Sequence, residues 1–199
     1  MIRTRFGLFA AILVYSVCMR LLPFILMQFG MTIDPKTTIY PWNFSPLPAI
    51  CLFGGACFAQ KRWAFFIPLS AFLIGDFAIW AVTGNRGWAF YPNQPVVYGS
   101  VALIVVLGFL LRERRSVPGI AGTGLLAATL FFLITNFGVW ALGTTYPKDI
   151  AGLLTCYAAG LPFFGRSVAS MMVFSAVLFA PVMLTRPATA TAEQAIVTK

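Results

Sequence analysis

Asp76 is the side chain around which this sequence gathers its chemistry. It sits inside Leu-Ile-Gly-Asp-Phe-Ala-Ile-Trp, residues 73–80. Among such apolar neighbours an ionised carboxylate costs several kcal/mol unless it is paired. Residues 133–140, Leu-Ile-Thr-Asn-Phe-Gly-Val-Trp, repeat the pattern with Asn136 in the place of the acid. Trp80 and Trp140 each follow four residues later, on the same helical face as the polar residue. A Tyr-Pro pair comes after each, Tyr91-Pro92 and Tyr146-Pro147, and a third pair, Tyr40-Pro41, follows the first apolar run. The chain therefore reads as three related hairpins with polar marks at similar depth. Arg20 lies inside the first apolar run and Arg166 at the start of the last. These residue types suit recognition. The acid pairs with a cation, the guanidinium groups with an anion, and the indoles stack on a flat ring.

Each mark also has a plainer reading. Asp76 bonded to Arg20 or Arg166 would only hold helices together. Asn136 as an interhelical hydrogen-bonding residue is worth about 1 kcal/mol. Trp42, Trp88 and the tyrosines at segment ends form an interfacial belt by default. Asn43-Phe44-Ser45-Pro46 reads as a helix start, with Ser45 capping and Pro46 at the first helical position.

Catalysis is not expected. The sequence has no histidine, which removes imidazole base chemistry and the usual catalytic zinc sites. It has one deep carboxylate where an aspartyl dyad needs two, and no serine with a base in reach. Cys18, Cys51, Cys57 and Cys156 stand in apolar context without Cys-x-x-Cys spacing, and read as small buried hydrophobes. A Cys51 or Cys156 nucleophile has no evident base. No metal and no cofactor is expected.

The elements that position these residues follow from composition. Hydrophobic residues make up 60% of the chain and charged residues 10%, against about 25% charged in soluble domains. The charges collect between long apolar runs, so the expected fold is all-α, a polytopic transmembrane bundle of six helices. A β-barrel would show ten-residue alternations instead. The net charge of +9 sits at segment ends, as topology signals rather than a nucleic-acid surface.

The expected spans are 6–27, 46–59, 63–83, 95–111, 120–142 and 164–184. Residues 30–43 form a loop, Pro23 is expected to kink the end of the first span, and 150–161 is read as a re-entrant or interfacial piece. Residues 1–185 make one transmembrane domain, and 186–199 a disordered cytoplasmic tail. Arg3, Arg5, Lys61, Arg62, Arg112, Arg114, Arg115, Arg186 and Lys199 fall on one side. Arg20, Lys36, Arg86, Lys148 and Arg166 fall on the other. The positive-inside rule makes the first side, with both termini, cytoplasmic. Lys61-Arg62 and Arg112 to Arg115 then serve as topology determinants, with lipid headgroup contact secondary. Gly7/Ala11 and Gly55/Ala59 have small-xxx-small spacing and are expected to pack within the protein.

A rise of about 1.5 Å per residue puts Asp76 roughly 21 Å above Arg62, and Arg20 about 22 Å above Arg5. The same rise puts Asn136 roughly 24–27 Å into its helix. In a core about 30 Å thick these residues share the outer third, near Asn43 and Arg166.

The runs Asn43-Phe44-Ser45-Pro46-Leu47-Pro48-Ala49, Leu52-Phe53-Gly54-Gly55-Ala56, Thr135 to Trp140 and Pro162-Phe163-Phe164, together with Asp76, Tyr146-Pro147 and Gly152-Leu153-Leu154, resemble an uncharacterised family of small six-helix bacterial membrane proteins. The resemblance covers roughly residues 10 to 180. That family is in turn distantly similar to S-components, the substrate-binding subunits of energy-coupling-factor vitamin transporters, an analogy of size and layout. The resemblance implies a multi-pass protein of the bacterial inner membrane that takes up a vitamin-like molecule or metabolite. It would bind that solute in an outward-facing cavity, with Arg20, Asn43, Asp76, Trp80, Asn136, Trp140, Tyr146 and Arg166 as contacts. It further implies a transmembrane coupling subunit and cytoplasmic ATPases as partners, since this chain carries no phosphate-binding loop of its own. A cobalamin ligand would need Cys18, Cys51 or Cys156 to hold the metal, because position 80 is Trp. The alternative is a structural or accessory membrane subunit without transport.

Overall fold

The computed structural model describes residues 2–31, 44–113 and 115–183, with backbone alone for residues 2–6. Asn43, Trp42, Tyr40-Pro41, Lys36 and the 186–199 tail lie outside the described residues. The elements are α1 (Ile2–Gln28), α2 (Leu47–Cys57), α3 (Lys61–Thr83), the single turn α4 (Arg86–Ala89), α5 (Gln94–Gly108), α6 (Val117–Leu142) and α7 (Ile150–Met183). A 3-10 turn, Phe109–Leu111, continues α5. No strand occurs among the described residues.

Five segments are long and apolar enough to cross a membrane: Gly7–Gln28, Lys61–Thr83, Arg86–Leu111, Val117–Leu142 and Ile150–Met183. They mark the chain as a membrane protein, since only helices satisfy their own backbone in lipid. Their boundaries follow local chemistry. Ser116 accepts from the Gly119 amide at 3.1 Å, and Asp149 from the Gly152 amide at 2.7 Å, capping α6 and α7. Gly84 closes α3 in the left-handed conformation, φ 65°. α1 runs on through Pro23 to Gln28.

Two expectations about interruptions are corrected. Residues 150–161 are no separate re-entrant piece: they open α7, which continues through Pro162 and Pro181 for 34 residues. The interrupted span is the second. α2 has 11 residues, about 16 Å of helix in a core about 30 Å thick. Ser45 was expected to cap and Pro46 to lead the helix; Pro46 is itself the N-cap, and the Ser45 hydroxyl accepts from the Leu47 amide at 3.4 Å.

The direction of each helix is fixed by its partners. Arg20 meets Asp76, and Gln28 donates to the Val82 carbonyl at 3.2 Å, so α1 and α3 run parallel. α2, between them in sequence, runs the opposite way. α5 then runs antiparallel to α3, with Tyr98 near Phe72 and Phe109 near Phe65. α6 and α7 form the last antiparallel pair, with Phe132 against Phe164 and Tyr157. The helices alternate in direction through six passages, which leaves the start of α1 and the end of α7 at the end of the bundle that carries Lys61 and Arg112.

α2 is the axis of the packing. Leu47, Ala49, Ile50, Cys51, Leu52, Gly54, Gly55 and Ala56 are all buried, against α3, α5 and α7. It touches α5 backbone to backbone. A Cβ on Gly55 would stand 2.1 Å from the Val105 carbonyl oxygen, and one on Gly108 2.4 Å from that of Leu52. Gly55 thus packs inside, but its expected partner Ala59 lies past the end of α2 and is exposed, so the pair does not pack as a unit. Gly7 has no neighbour where its Cβ would be, and it and Ala11 are exposed on the outer face of α1. That half of the small-residue expectation does not hold either.

A helix ending inside a bundle needs partners for its last carbonyls. Arg112 donates to the carbonyls of Gly55 and Phe58, both at 2.8 Å, and Arg115 to that of Ala56 at 2.8 Å. These two arginines thus close the negative end of α2.

Candidate functional site

Asp76 lies at the edge of the inward line of α3, formed by Pro68, Ala71, Gly75 and Ile79, and is 0% exposed. Arg20 reaches it from α1, donating to Oδ1 as an ion pair. Gly75 leaves room for this approach, because a Cβ there would stand 3.2 Å from Arg20 Cδ. Arg20 also lies over the Phe72 ring, 4.7 Å from its centroid, a cation–π contact. The second carboxylate oxygen accepts from Tyr98 Oη at 2.5 Å and from Gln94 Nε2 at 2.6 Å. Three helices therefore meet on one carboxylate.

Gln94 and Tyr98 were not anticipated. Their signal was present: two polar residues at i and i+4 on one face of an apolar helix. Beside Gln94, Asn93 turns the other way and donates to the Thr135 carbonyl at 3.1 Å. Its Oδ1 has no hydrogen-bond partner and lies 2.0 Å from where a Gly138 Cβ would be. The first turn of α5 thus stitches the Asp76 segment to the Asn136 segment.

The second polar cluster is a hollow of about 230 Å³ between α6 and α7. Phe131, Phe132, Thr135 and Asn136 line it from α6, and Gly160, Phe163, Phe164 and Ser167 from α7. Ser170, one turn along α7 from Ser167, donates to the Ser45 carbonyl at 2.6 Å, which fixes where α2 begins. The hollow opens one turn beyond that point. Gly160 makes room for the amide, since a Cβ there would lie 2.7 Å from Asn136 Oδ1.

The other expected contacts lie apart. Trp80 does not turn inward: it is 43% exposed, against Phe77 and Phe90. Four residues of helix advance about 40° past a full circle, enough to carry it off the face that holds Asp76. Trp140 donates its indole N–H to the Pro147 carbonyl at 2.7 Å, and Lys148 Nζ donates to the carbonyls of Trp140 and Gly143. Both side chains tie down the loop in which Tyr146 sits half-buried. Arg166 is exposed on α7, and Arg20 is the arginine that takes Asp76. Among the described residues no three His, Cys, Asp or Glu side chains gather as a metal site.

Residues 1–193 match a family of unknown function, DUF6580. The chain belongs to this family. No curated protein and no solved structure matches it. For this DUF6580 member, function is therefore argued from the two clusters: a closed ion pair joining α1, α3 and α5, and an aromatic hollow with three polar side chains between α6 and α7.

Proposed function

We propose that this protein binds a small solute in the hollow between α6 and α7 and serves its uptake across the bacterial inner membrane, with the basic end cytoplasmic. The observation that carries the reading is the hollow itself, at the depth of Asn136 and beyond the truncated α2. Broken helices that stop at mid-depth commonly border solute sites in transporters. At about 230 Å³ it falls below the ~300–1,000 Å³ of drug-sized sites, which favours a small metabolite. In this reading Asn136 contacts the solute, and the Arg20–Asp76 pair is a clamp that holds the bundle around the site. The layout resemblance to S-components adds a transmembrane coupling subunit and cytoplasmic ATPases as partners for release.

A melting screen of the purified protein against vitamins, nucleobases and related metabolites tests this. A ligand at a hundred times its Kd stabilises by about 2.7 kcal/mol, a rise of about 5–10 °C for a chain of this size. Asn136→Leu is expected to abolish that rise. Asp76→Asn is expected to lower the melting point and leave the rise intact. Failure of every solute to shift melting would favour the accessory-subunit reading, which the saturated bonding of Asp76 supports.

A further inference from the structure

The three polar side chains of the hollow have already spent donors. Thr135 Oγ1 donates to the Phe131 carbonyl at 2.7 Å, and Ser167 Oγ to the Phe163 carbonyl at 3.0 Å. Asn136 Nδ2 donates to the Phe132 carbonyl at 2.8 Å. All three bonds run to the carbonyl four residues back. The Asn136 bond also fixes the orientation of its amide, since only the NH₂ end can face a carbonyl. A hydroxyl whose hydrogen is taken still offers its lone pairs, and a carboxamide anchored by nitrogen presents its oxygen. Around these acceptors stand four phenylalanine rings, and among the described residues no charged side chain lines the hollow.

We infer that the solute of this hollow is a flat ring that carries N–H donors and no anionic group. The inference rests on the binding reading above and narrows it. A ring fills the space between phenylalanine faces, and its N–H groups meet acceptors that would otherwise be left without partners. A carboxylate or phosphate would bring further acceptors to a site made of acceptors, with no cation among the described lining residues to offset the cost of desolvation. Discrimination of this kind is strong because buried polar groups are left unpaired by the wrong ligand.

The test uses matched purines on the full-length protein in detergent: adenine, unsubstituted purine and purine-6-carboxylate, read by melting shift and by titration calorimetry. Adenine is expected to bind at least about tenfold tighter than purine, and the carboxylate not at all. Thr135→Val and Ser167→Ala keep the volume close to that of the parent and remove one acceptor each. Each is expected to weaken adenine about five- to tenfold and to weaken purine, which keeps only its ring N–H, by less. Purine or its carboxylate binding as tightly as adenine, or a preference untouched by both substitutions, overturns the donor rule while leaving the hollow a binding site. Binding of none of the three, together with no shift from any metabolite in the wider screen, overturns the site and this inference with it.

Discussion

Arg20→Ala is expected to be the most damaging single substitution in the chain, lowering stability by about 3–5 kcal/mol. The carboxylate it abandons is 0% exposed. Gln94 and Tyr98 would remain as donors on one oxygen, but neither carries charge. Breaking one side of a buried pair leaves the other uncompensated, which costs far more than the net worth of the pair. Arg20→Met combined with Asp76→Leu is therefore expected to recover most of the loss, because apolar side chains of similar size need no partner. Reversible unfolding in mixed micelles, run as a double-mutant cycle, measures both values. A cost below about 1 kcal/mol for Arg20→Ala would mean that the pair is exposed to water and is no clamp.

The second large effect is expected at the far end of the bundle. Arg112→Ala removes the donors to the carbonyls of Gly55 and Phe58. Hydrogen bonds to charged groups are worth about 1.5–3 kcal/mol each, so a total near 3 kcal/mol is expected. Arg112→Lys keeps the charge but not the two-pronged geometry and is expected to recover less than half. Cys51, 0% exposed at the centre of α2, gives a direct readout. Its labelling by a membrane-permeant maleimide should be negligible in the parent and rapid in Arg112→Ala. If the arginine served topology alone, the substitution would leave Cys51 unreactive.

The bundle was legible because hydrophobic length and charge placement follow directly from the cost of polar groups in hydrocarbon. The bounds of α3, α5 and α6 moved by at most three residues. The interruption was misplaced because an apolar run cut by proline looks alike whether the helix breaks or continues. Pro162 stays within α7, whereas Pro46 and Pro48 open α2; neighbouring helices decide which. The pairing of Asp76 was narrowed to two arginines from depth alone, and the parallel run of α1 and α3 selected Arg20. The roles of Arg112 and Arg115 could not be read, since a basic cluster at a segment end has a sufficient explanation in topology. Nor could the hollow, because an empty space is a property of how α6 and α7 pack and not of any one residue. Thr135 and Ser167 looked like ordinary small polar residues within helices.

The half-length of α2 has a consequence for how the chain is made. The insertion machinery accepts segments near twenty apolar residues, and an 11-residue helix with polar backbone at both ends cannot be laid into lipid by itself. The carbonyls of Gly55, Ala56 and Phe58 find side-chain donors in Arg112 and Arg115, more than fifty positions further along the ribosome's output. During synthesis α2 must therefore wait, sheltered or still in water, until α5 has been delivered. A nascent chain halted before residue 112 should still offer Cys51 to maleimide, and the thiol should disappear from reach as the arginines emerge.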